Sequence, residues 1–349
     1  MNDMKKTLSF QLDVSDFIPA NAQEKQSLVV MRESVNFWRD GLRRFGRNKV
    51  AMVSLFVILA VMIFAFILPG FYPYTYEQQV RGSENLAPMQ YSEMELDMMK
   101  NGESVFPHFL GTDSHGRDTM VRLMMGSRVS LLVGIVASFL VLLIGSTYGA
   151  VAGYFGGKVD MIMMRVVDII YTVPDILIII LLMVTLKYPL QDLANSIPGF
   201  SWINTIGVGL ICIFIVFALL YWVGMARIVR SQILMLKEQE YVTAARALGA
   251  SHGRIIKKHL LTNCMGTLIV TSTLQIPASI FTESFLSFIG IGVAAPMPSL
   301  GSMASQAIGG ITSYPYRLLA PAIMISLIIL SFNLIGDGLR DAFDPKLKN

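Results

Sequence analysis

One segment of the chain comes close to the spacing of a phosphate-binding loop. The stretch GYFGGKV, from Gly153 to Val159, carries glycines and a lysine in the order that such loops use. The pattern G-x-x-x-x-G-K-[ST] fails because Ala152 stands at the first glycine and Val159 replaces the hydroxyl that would bind Mg²⁺. We therefore expect no catalytic residues and no nucleotide hydrolysis by this chain.

Histidine and cysteine, the residues that most often hold metals, are rare in the sequence. The histidines are His108, His115, His252 and His259. They have no zinc-protease spacing and fall in predicted loops, so each is interpreted as a surface or packing residue. Cys212 lies inside one apolar run and Cys264 at the edge of another, which gives no disulfide framework. We expect no metal and no cofactor.

Four ionisable side chains lie within or at the start of apolar runs, where an unpaired charge is costly and usually faces protein or water. Asp175 and Glu283 are candidates to line a pathway or an interface between subunits. Arg165 and Asp168 lie three residues apart, so a structural ion pair on one helix face is predicted for them.

The elements that carry these side chains are long apolar runs. Hydrophobic residues make up 54% of the 349 residues and charged residues 15%, a composition typical of a polytopic membrane protein. A helix needs about 20 apolar residues to cross a hydrocarbon core of about 30 Å. The predicted spans are Val50–Leu68, Ser130–Ala152, Val166–Leu186, Ile203–Ala226, Gly266–Ile291 and Leu318–Ile335. The sequence therefore predicts an all-α integral membrane protein.

The distribution of lysine and arginine predicts the orientation of the spans. The termini and the loops on their side carry 21 of these residues, against seven on the other side. Positive residues concentrate on the cytoplasmic side of membrane proteins. Both termini and the loop 227–264 are thus predicted to be cytoplasmic.

The spans divide the chain into five predicted parts. They are an N-terminal segment (1–49), the first span (50–68), an outer segment (69–129), a core of five spans with the loop 227–264 (130–339) and a tail (340–349). Glu33–Lys49 mixes aromatic residues with arginines, as an amphipathic helix on an anionic leaflet would. A solvated linker is the alternative. The outer segment is too polar to span and is interpreted as an extracytoplasmic cap.

The loop 227–264 contains a pattern for two short helices, Glu240–Asn263, which we call the elbow. An apolar stripe on its first helix consists of Tyr241, Ala244, Ala245 and Leu248, at i, i+3, i+4 and i+7. Gly249 suits a left-handed helix end and Ser251 an N-cap. The second helix is expected to bury Ile255, Ile256, His259 and Leu260.

Three functions compete for the elbow. Binding to DNA is excluded by space, since 38 residues between two spans leave little room for a third helix. A loop lying on the membrane and a docking element for another protein both fit an apolar stripe flanked by positive charge. The residues alone leave those two open.

The elbow resembles the EAA loop of ABC-importer permeases, which has two alanines, three residues and a glycine. Ala244, Ala245 and Gly249 stand at those positions, and EYVTAARALGAS followed by RII resembles the oligopeptide/dipeptide (peptide/nickel) branch. Two positions depart from that resemblance. Thr243 replaces a common glutamate and Thr262 a common proline, so the second helix is expected to end less sharply.

Other segments resemble the same branch, and in the same order along the chain. They include LGTDSHGRD (110–118), GAVAGYFGG (149–157), MRVVD (164–168), TESFLSFIGIG (282–292), PMPSLGS (296–302) and GDGLRDAFDPKL (336–347). One departure is Leu300, at a position where the branch usually has tryptophan. The resemblance covers 33–347 and is to the second, C-type membrane subunit.

The resemblance implies the six-helix type I permease fold with an added amphipathic N-terminal helix, in the plasma membrane of a prokaryote. It implies four kinds of protein partner and ligand: a homologous second permease, two ABC ATPase subunits, an extracytoplasmic peptide-binding protein and a peptide. The implied ATPase-coupling residues are Glu240, Tyr241, Ala244, Ala245, Arg246, Leu248, Gly249, Ala250, Ser251, Arg254 and His259. Nickel, glutathione or another small solute is an alternative substrate. An ion-driven secondary transporter is the alternative from a different class, and it predicts inverted repeats.

Overall fold

The structure is a computed structural model in which residues 37–293 and 296–343 are described. The helices in these ranges are α1 (Phe37–Phe45), α2 (Lys49–Phe66), α3 (Glu93–Lys100), α4 (Thr119–Phe155), α5 (Gly157–Thr172), α6 (Asp175–Ser196), α7 (Trp202–Ile206), α8 (Val208–Leu220), α9 (Trp222–Leu236), α10 (Glu240–Ala247), α11 (His252–Arg254), α12 (Met265–Phe288), α13 (Leu300–Ile308) and α14 (Tyr316–Phe343).

Six stretches of helix within the described residues are long and apolar enough to cross a membrane, as predicted. They are Lys49–Gly70, Thr119–Phe155, Asp175–Ser196, Val208–Leu236, His252–Phe288 and Tyr316–Phe343. Four starts differ from the prediction by five residues or more. The fourth span begins at Val208 and not at Ile203, and the fifth at His252 and not at Gly266. The second and third starts have a local cause. The second span begins at Thr119 inside the predicted outer segment, because Asp118 caps the helix by accepting a hydrogen bond from the Val121 N–H at 2.9 Å.

The third span begins at Asp175, not at Val166. Pro174 is the cause, since a residue before proline is driven out of the helical region, and Val173 is extended (φ −89°, ψ 136°). The residues from Val166 to Thr172 therefore belong to a separate helix, α5, which returns beside the preceding span.

Helix α4 packs closely against α9 along a row of glycines. Gly145, Gly149 and Gly153 recur every four residues, so they lie on one face of α4. A Cβ atom on Gly149 would lie 2.3 Å from the carbonyl oxygen of Ala226. Small residues allow such backbone contact between membrane helices.

The first described helix, α1, packs on the last turn of α14. The rings of Phe37 and Trp38 lie 5.3 and 5.9 Å from that of Phe343, and Gly41 is buried against the same ring. A helix is thus confirmed inside the predicted segment, although 33–36 lie outside the described residues. The first and last described helices meet at the same end of the molecule.

The outer segment contains a buried polar cluster that holds it against α4. His108 Nδ1 lies 2.7 Å from Asp118 and its Nε2 lies 2.9 Å from Glu95, while the ring stacks on Tyr74. Burial by itself lowers the pKa of His108, but the hydrogen bonds and charges of Asp118 and Glu95 outweigh it and raise that pKa. His108 is therefore a packing residue, as predicted.

Candidate functional site

Helix α10, the first arm of the elbow, has one fully buried side chain. Val242 is completely buried (0% exposed) against α4, α9 and the second arm. On the other side of the helix, Leu248 is 89% exposed, and Tyr241 and Ala244 are exposed as well. Three of the four residues of the predicted apolar stripe are therefore exposed, Ala245 is half-buried, and the fully buried residue Val242 lies outside the stripe.

The first arm ends at a glycine, as predicted. Gly249 has φ +80°, a region that glycine enters without steric cost. The N–H of Ala250 bonds to the Ala245 carbonyl and the N–H of Gly249 to the Arg246 carbonyl, both at 3.0 Å. This pairing is a Schellman motif, which turns the chain sharply and satisfies two terminal carbonyls.

The second arm does not end before the fifth span but continues into it. Ser251 takes the N-cap position of α11, without a capping bond from its side chain. A π-helix at Ile255–Leu260 and a 3₁₀ turn at Leu261–Cys264 then lead into α12. With Thr262 in place of proline the helical chain is not interrupted, so the second arm and the fifth span form one continuous helical segment, His252–Phe288. His252 and His259 accordingly lie in helical turns, not in loops.

The buried face of the second arm is largely as predicted. Ile255 and Leu260 are fully buried, and Ile256 and His259 are half-buried. On the opposite face, four cations are exposed beside the stripe: Arg246, Arg254, Lys257 and Lys258. The elbow therefore presents an apolar strip with a positive border.

Of the predicted coupling residues, most are exposed on this surface and a few turn inward. The exposed ones are Glu240, Tyr241, Ala244, Arg246, Leu248, Gly249, Ser251 and Arg254. The half-buried ones are Ala245, Ala250 and His259. The structure thus brings the predicted set together on one short segment.

Hydrogen bonds tie the elbow and the end of α9 to α4. The hydroxyl of Tyr154, at the end of α4, lies 2.8 Å from His252 Nδ1. Just before the elbow, Lys237 donates to the carbonyl of Gly153 at 3.1 Å and so joins the end of α9 to α4. The elbow is therefore attached to α4 through a hydrogen bond and to α12 through the continuous chain.

Two ion pairs join α5 to α9, and one of them corrects a prediction. Asp168 pairs with Arg227 at 2.8 Å and not with Arg165, because α5 packs against α9 and brings that arginine to the carboxylate. Arg230 donates two hydrogen bonds to Asp160, and these lower the pKa of the Asp160 carboxyl. Each pair joins residues far apart in sequence.

A groove of about 810 Å³ opens beside the break between α5 and α6. Its polar lining includes Asp175, Gln275 and the hydrogen-bonded pair Tyr221 and Thr282 (2.8 Å). Asp175 is exposed there, so its position is compatible with lining a pathway.

Glu283 occupies a different environment, and the prediction for it was wrong. It is 0% exposed between α4 and α12, where the hydroxyls of Ser130 and Ser287 each donate to it at 2.8 Å. Ser284 adds a longer bond of 3.3 Å. A side chain enclosed in this way lines neither a pathway nor a subunit interface. Its role is to join two helices within the chain.

Sequence reasoning missed the residues that anchor the elbow. Val242 lies beside the predicted stripe, and its apolar side chain was the one local signal for a second, inward face. Tyr154 had no local signal, since its partner lies 98 residues away. The same holds for Asp160, which joins α5 to α9 and whose partner lies 70 residues away.

Comparison with known proteins agrees with this architecture. Residues 145–349 match the family described as binding-protein-dependent transport system inner membrane component, and 36–88 match the N-terminal TM domain of oligopeptide transport permease C. The chain is 40% identical to the oligopeptide transport system permease protein OppC of Bacillus subtilis (strain 168), over 95% of this chain and 97% of the relative.

Two further relatives extend the comparison. The dipeptide transport system permease protein DppC of the same organism is 40% identical over 95% of this chain and 93% of the relative. The oligopeptide transport system permease protein OppC of Escherichia coli (strain K12) is 35% identical over 90% of this chain and 93% of the relative. With its six spans the chain is a multi-pass protein of the inner membrane with the type I permease fold. It belongs to the family of inner-membrane components of binding-protein-dependent transport systems, in the branch of the oligopeptide and dipeptide permeases.

Proposed function

We propose that this chain is one of two permease subunits of an ATP-driven importer for oligopeptides or dipeptides, and that its elbow docks an ABC ATPase. The named relatives support the substrate class, since they are oligopeptide and dipeptide permeases. In this proposal an extracytoplasmic binding protein delivers the peptide, and ATP is bound and hydrolysed by the partner subunits. The chain converts their movement into opening and closing of a pathway.

One observation carries the docking proposal: Leu248 is 89% exposed on a helix whose other face is fully buried at Val242. An exposed leucine with small residues beside it fits a groove on a partner, because buried apolar side chains at the centre of an interface contribute most of its energy. The exposed cations on its border favour a groove with acidic residues at its rim.

A surface for the second permease subunit is proposed on α5 and α6. Both helices leave large apolar side chains exposed, among them Ile162, Ile169, Leu177 and Leu181. The groove beside Asp175 lies between these helices and α12. A second subunit against this face closes the groove into a pathway that the two subunits share.

The orientation proposed from the charge distribution places the elbow and both termini in the cytoplasm. The joined ends of α1 and α14 then lie at the inner leaflet, where the arginines of α1 meet anionic headgroups. The outer segment faces the binding protein on the other side.

Substitution of Leu248 tests the docking surface. In Leu248→Arg we expect normal membrane insertion but at least a tenfold loss of co-purifying ATPase, since a charge replaces the apolar residue at the centre of the contact. Leu96→Arg is the matched control, because Leu96 is an exposed leucine on α3, far along the chain from the elbow. ATPase retained by Leu248→Arg at the level of Leu96→Arg contradicts the docking role.

A second experiment tests which subunits hydrolyse ATP. The purified chain by itself is expected to hydrolyse no ATP, while the assembled importer in proteoliposomes hydrolyses ATP and accumulates peptide. Robust hydrolysis by the chain alone, or accumulation without ATP, refutes the proposal.

A further inference from the structure

Three arginines and one carboxylate lie close together where the outer segment meets the helices. Arg117, Arg122 and Arg317 come from the turn before α4, from α4 and from α14, and all are at least 93% buried. Asp113 pairs with two of them, with Arg117 Nε at 2.7 Å and Arg122 Nη1 at 3.2 Å from the same carboxylate oxygen, and Arg317 lies near Arg122. We call these four residues the outer joint.

The outer joint has more positive than negative charge. Burial by itself raises the pKa of Asp113, but the charge of Arg122 and two backbone N–H groups lower it below its usual range, so this carboxylate is ionised. The other acceptors are the amides of Gln306, which accepts from Arg117 and Arg122, and of Asn85, which accepts from Arg317 at 2.6 Å, and the ring of His115, whose Nδ1 lies 3.4 Å from Arg117 Nη2. One negative charge therefore faces three positive charges in a buried place, where uncompensated charge is costly.

A small cavity of about 20 Å³ lies in this joint, and two polar atoms of its walls have no hydrogen-bond partner in the described part of the chain. They are the hydroxyl of Thr119, a residue 4% exposed, and Nη1 of Arg122, a residue 2% exposed. The Arg122 nitrogen is close enough to Asp113 for charge attraction, but its N–H is not aligned with that carboxylate. Arg317 and Asp113 also line the cavity, so one carboxylate faces the same space as two guanidinium groups.

We propose that the outer joint binds a small monovalent anion, chloride, which accepts hydrogen bonds from Thr119 and Arg122 and lies beside Arg317. The volume exceeds the roughly 10–15 Å³ that one water-sized occupant requires, and it is too small for a phosphate or a carboxylate. A water molecule can satisfy the same donors, but it leaves the excess positive charge uncompensated. Chloride accepts the hydrogen bonds of both donors and also compensates the excess positive charge.

The anion adds a contact to elements that are already joined by hydrogen bonds, such as those from Arg317 to Asn85 and from Tyr316 to the carbonyl of Leu86. It lies between the outer segment, α4 and α14, so its binding stabilises the attachment of the outer segment to the spans. This inference is independent of the proposed transport function, because it rests on the charges and the cavity alone.

Thermal unfolding of the purified full chain in detergent tests the site. At equal ionic strength, we expect Tm in sodium chloride to exceed Tm in sodium gluconate by about 2 °C at ten times the dissociation constant, because gluconate is too large to enter. A crystal grown in bromide is expected to show an anomalous peak between Thr119, Arg122 and Arg317.

Two variants test whether Thr119 and Arg317 are responsible for the chloride-dependent shift in Tm. Thr119→Val removes the hydroxyl at nearly constant volume, and Arg317→Gln removes one positive charge, so each is expected to reduce the chloride shift by at least half. Thr147→Val is the control, since the hydroxyl of Thr147 bonds to the carbonyl of Leu143 in its own helix. It is expected to keep the full shift.

Three outcomes overturn the proposal. The first is an equal Tm of the wild-type protein in chloride and gluconate. The second is a chloride shift that both Thr119→Val and Arg317→Gln retain in full. The third is a cavity that holds an ordered water without anomalous bromide density.

Discussion

The phenol oxygen of Tyr241 accepts a hydrogen bond of 3.0 Å from the side-chain amide of Asn263, which also donates to the carbonyl of His259 at 2.7 Å. Tyr241 begins the first arm of the elbow and Asn263 ends the second. The bond therefore fixes the angle between the arms. In the proposed function, this angle determines how far α12 moves when the first arm is displaced.

Asn263→Ala tests whether the fixed angle matters for coupling. One hydrogen bond between the arms and one within the second arm are lost, each contributing about 0.5–1.5 kcal/mol, so the angle between the arms is held less firmly. We expect the variant to bind ATPase normally while the peptide imported per ATP hydrolysed falls several-fold in proteoliposomes. Asn204→Ala, which removes a similar side-chain bond to Asn195, is the control and is expected to keep the wild-type ratio.

Gly149→Ala tests the close packing of α4 on α9. The added Cβ meets the Ala226 backbone at 2.3 Å, so the helices must separate, and we expect a loss of stability of about 1–3 kcal/mol. Gly224→Ala is the control, because a Cβ there has no neighbour within 4 Å. Thermal unfolding of the two variants in the same detergent distinguishes them. Equal Tm values contradict the packing argument.

A double-mutant cycle tests the corrected partner of Asp168. Asp168 and Arg227 are both partly exposed, so their coupling is expected to be about 0.2–1 kcal/mol, and Arg227 also packs on the ring of Tyr171. The cycle of Asp168→Asn with Arg227→Gln should show this coupling. The cycle with Arg165→Gln should show none, and a larger coupling to Arg165 restores the sequence-based prediction.

The buried His108 predicts a pH dependence of the outer segment. Its pKa is higher in the folded protein than in the unfolded chain, so its contribution to stability is complete below the unfolded value of about 6.5 and is lost as pH rises through the folded value. The tyrosines that face the cluster stay neutral in this range. Burial, followed by the charges of Glu95 and Asp118, raises the pKa of Tyr74 to about 12, and the pKa of Tyr72 is raised as well.

Limited proteolysis of the outer segment between about pH 6 and pH 9 measures this dependence. Cleavage in the wild-type protein is expected to accelerate with pH, after correction for the protease's own profile. In His108→Gln the acceleration is expected to disappear, while His115→Gln, at an exposed histidine, is expected to retain it. Acceleration that persists in His108→Gln contradicts the role of this side chain.

The sequence was sufficient for features that depend on local chain properties. The six spans follow from apolar length against the thickness of the bilayer, and the end of α10 at Gly249 follows from the left-handed conformation that glycine adopts easily. Pro174 also has a local effect, since it separates α5 from α6. This break was not predicted, because the apolar run continues on both sides of the proline.

The tertiary structure decided which face of each helix is covered. Val242 is buried while the stripe with Leu248 is exposed, Glu283 points at Ser130 from 153 residues away, and Asp168 takes Arg227 as its partner. None of these choices follows from spacing along one helix, because each is set by contacts between segments distant in sequence. The sequence by itself determined the membrane architecture and the elbow, whereas packing alone decided which side chains remain free to contact a partner.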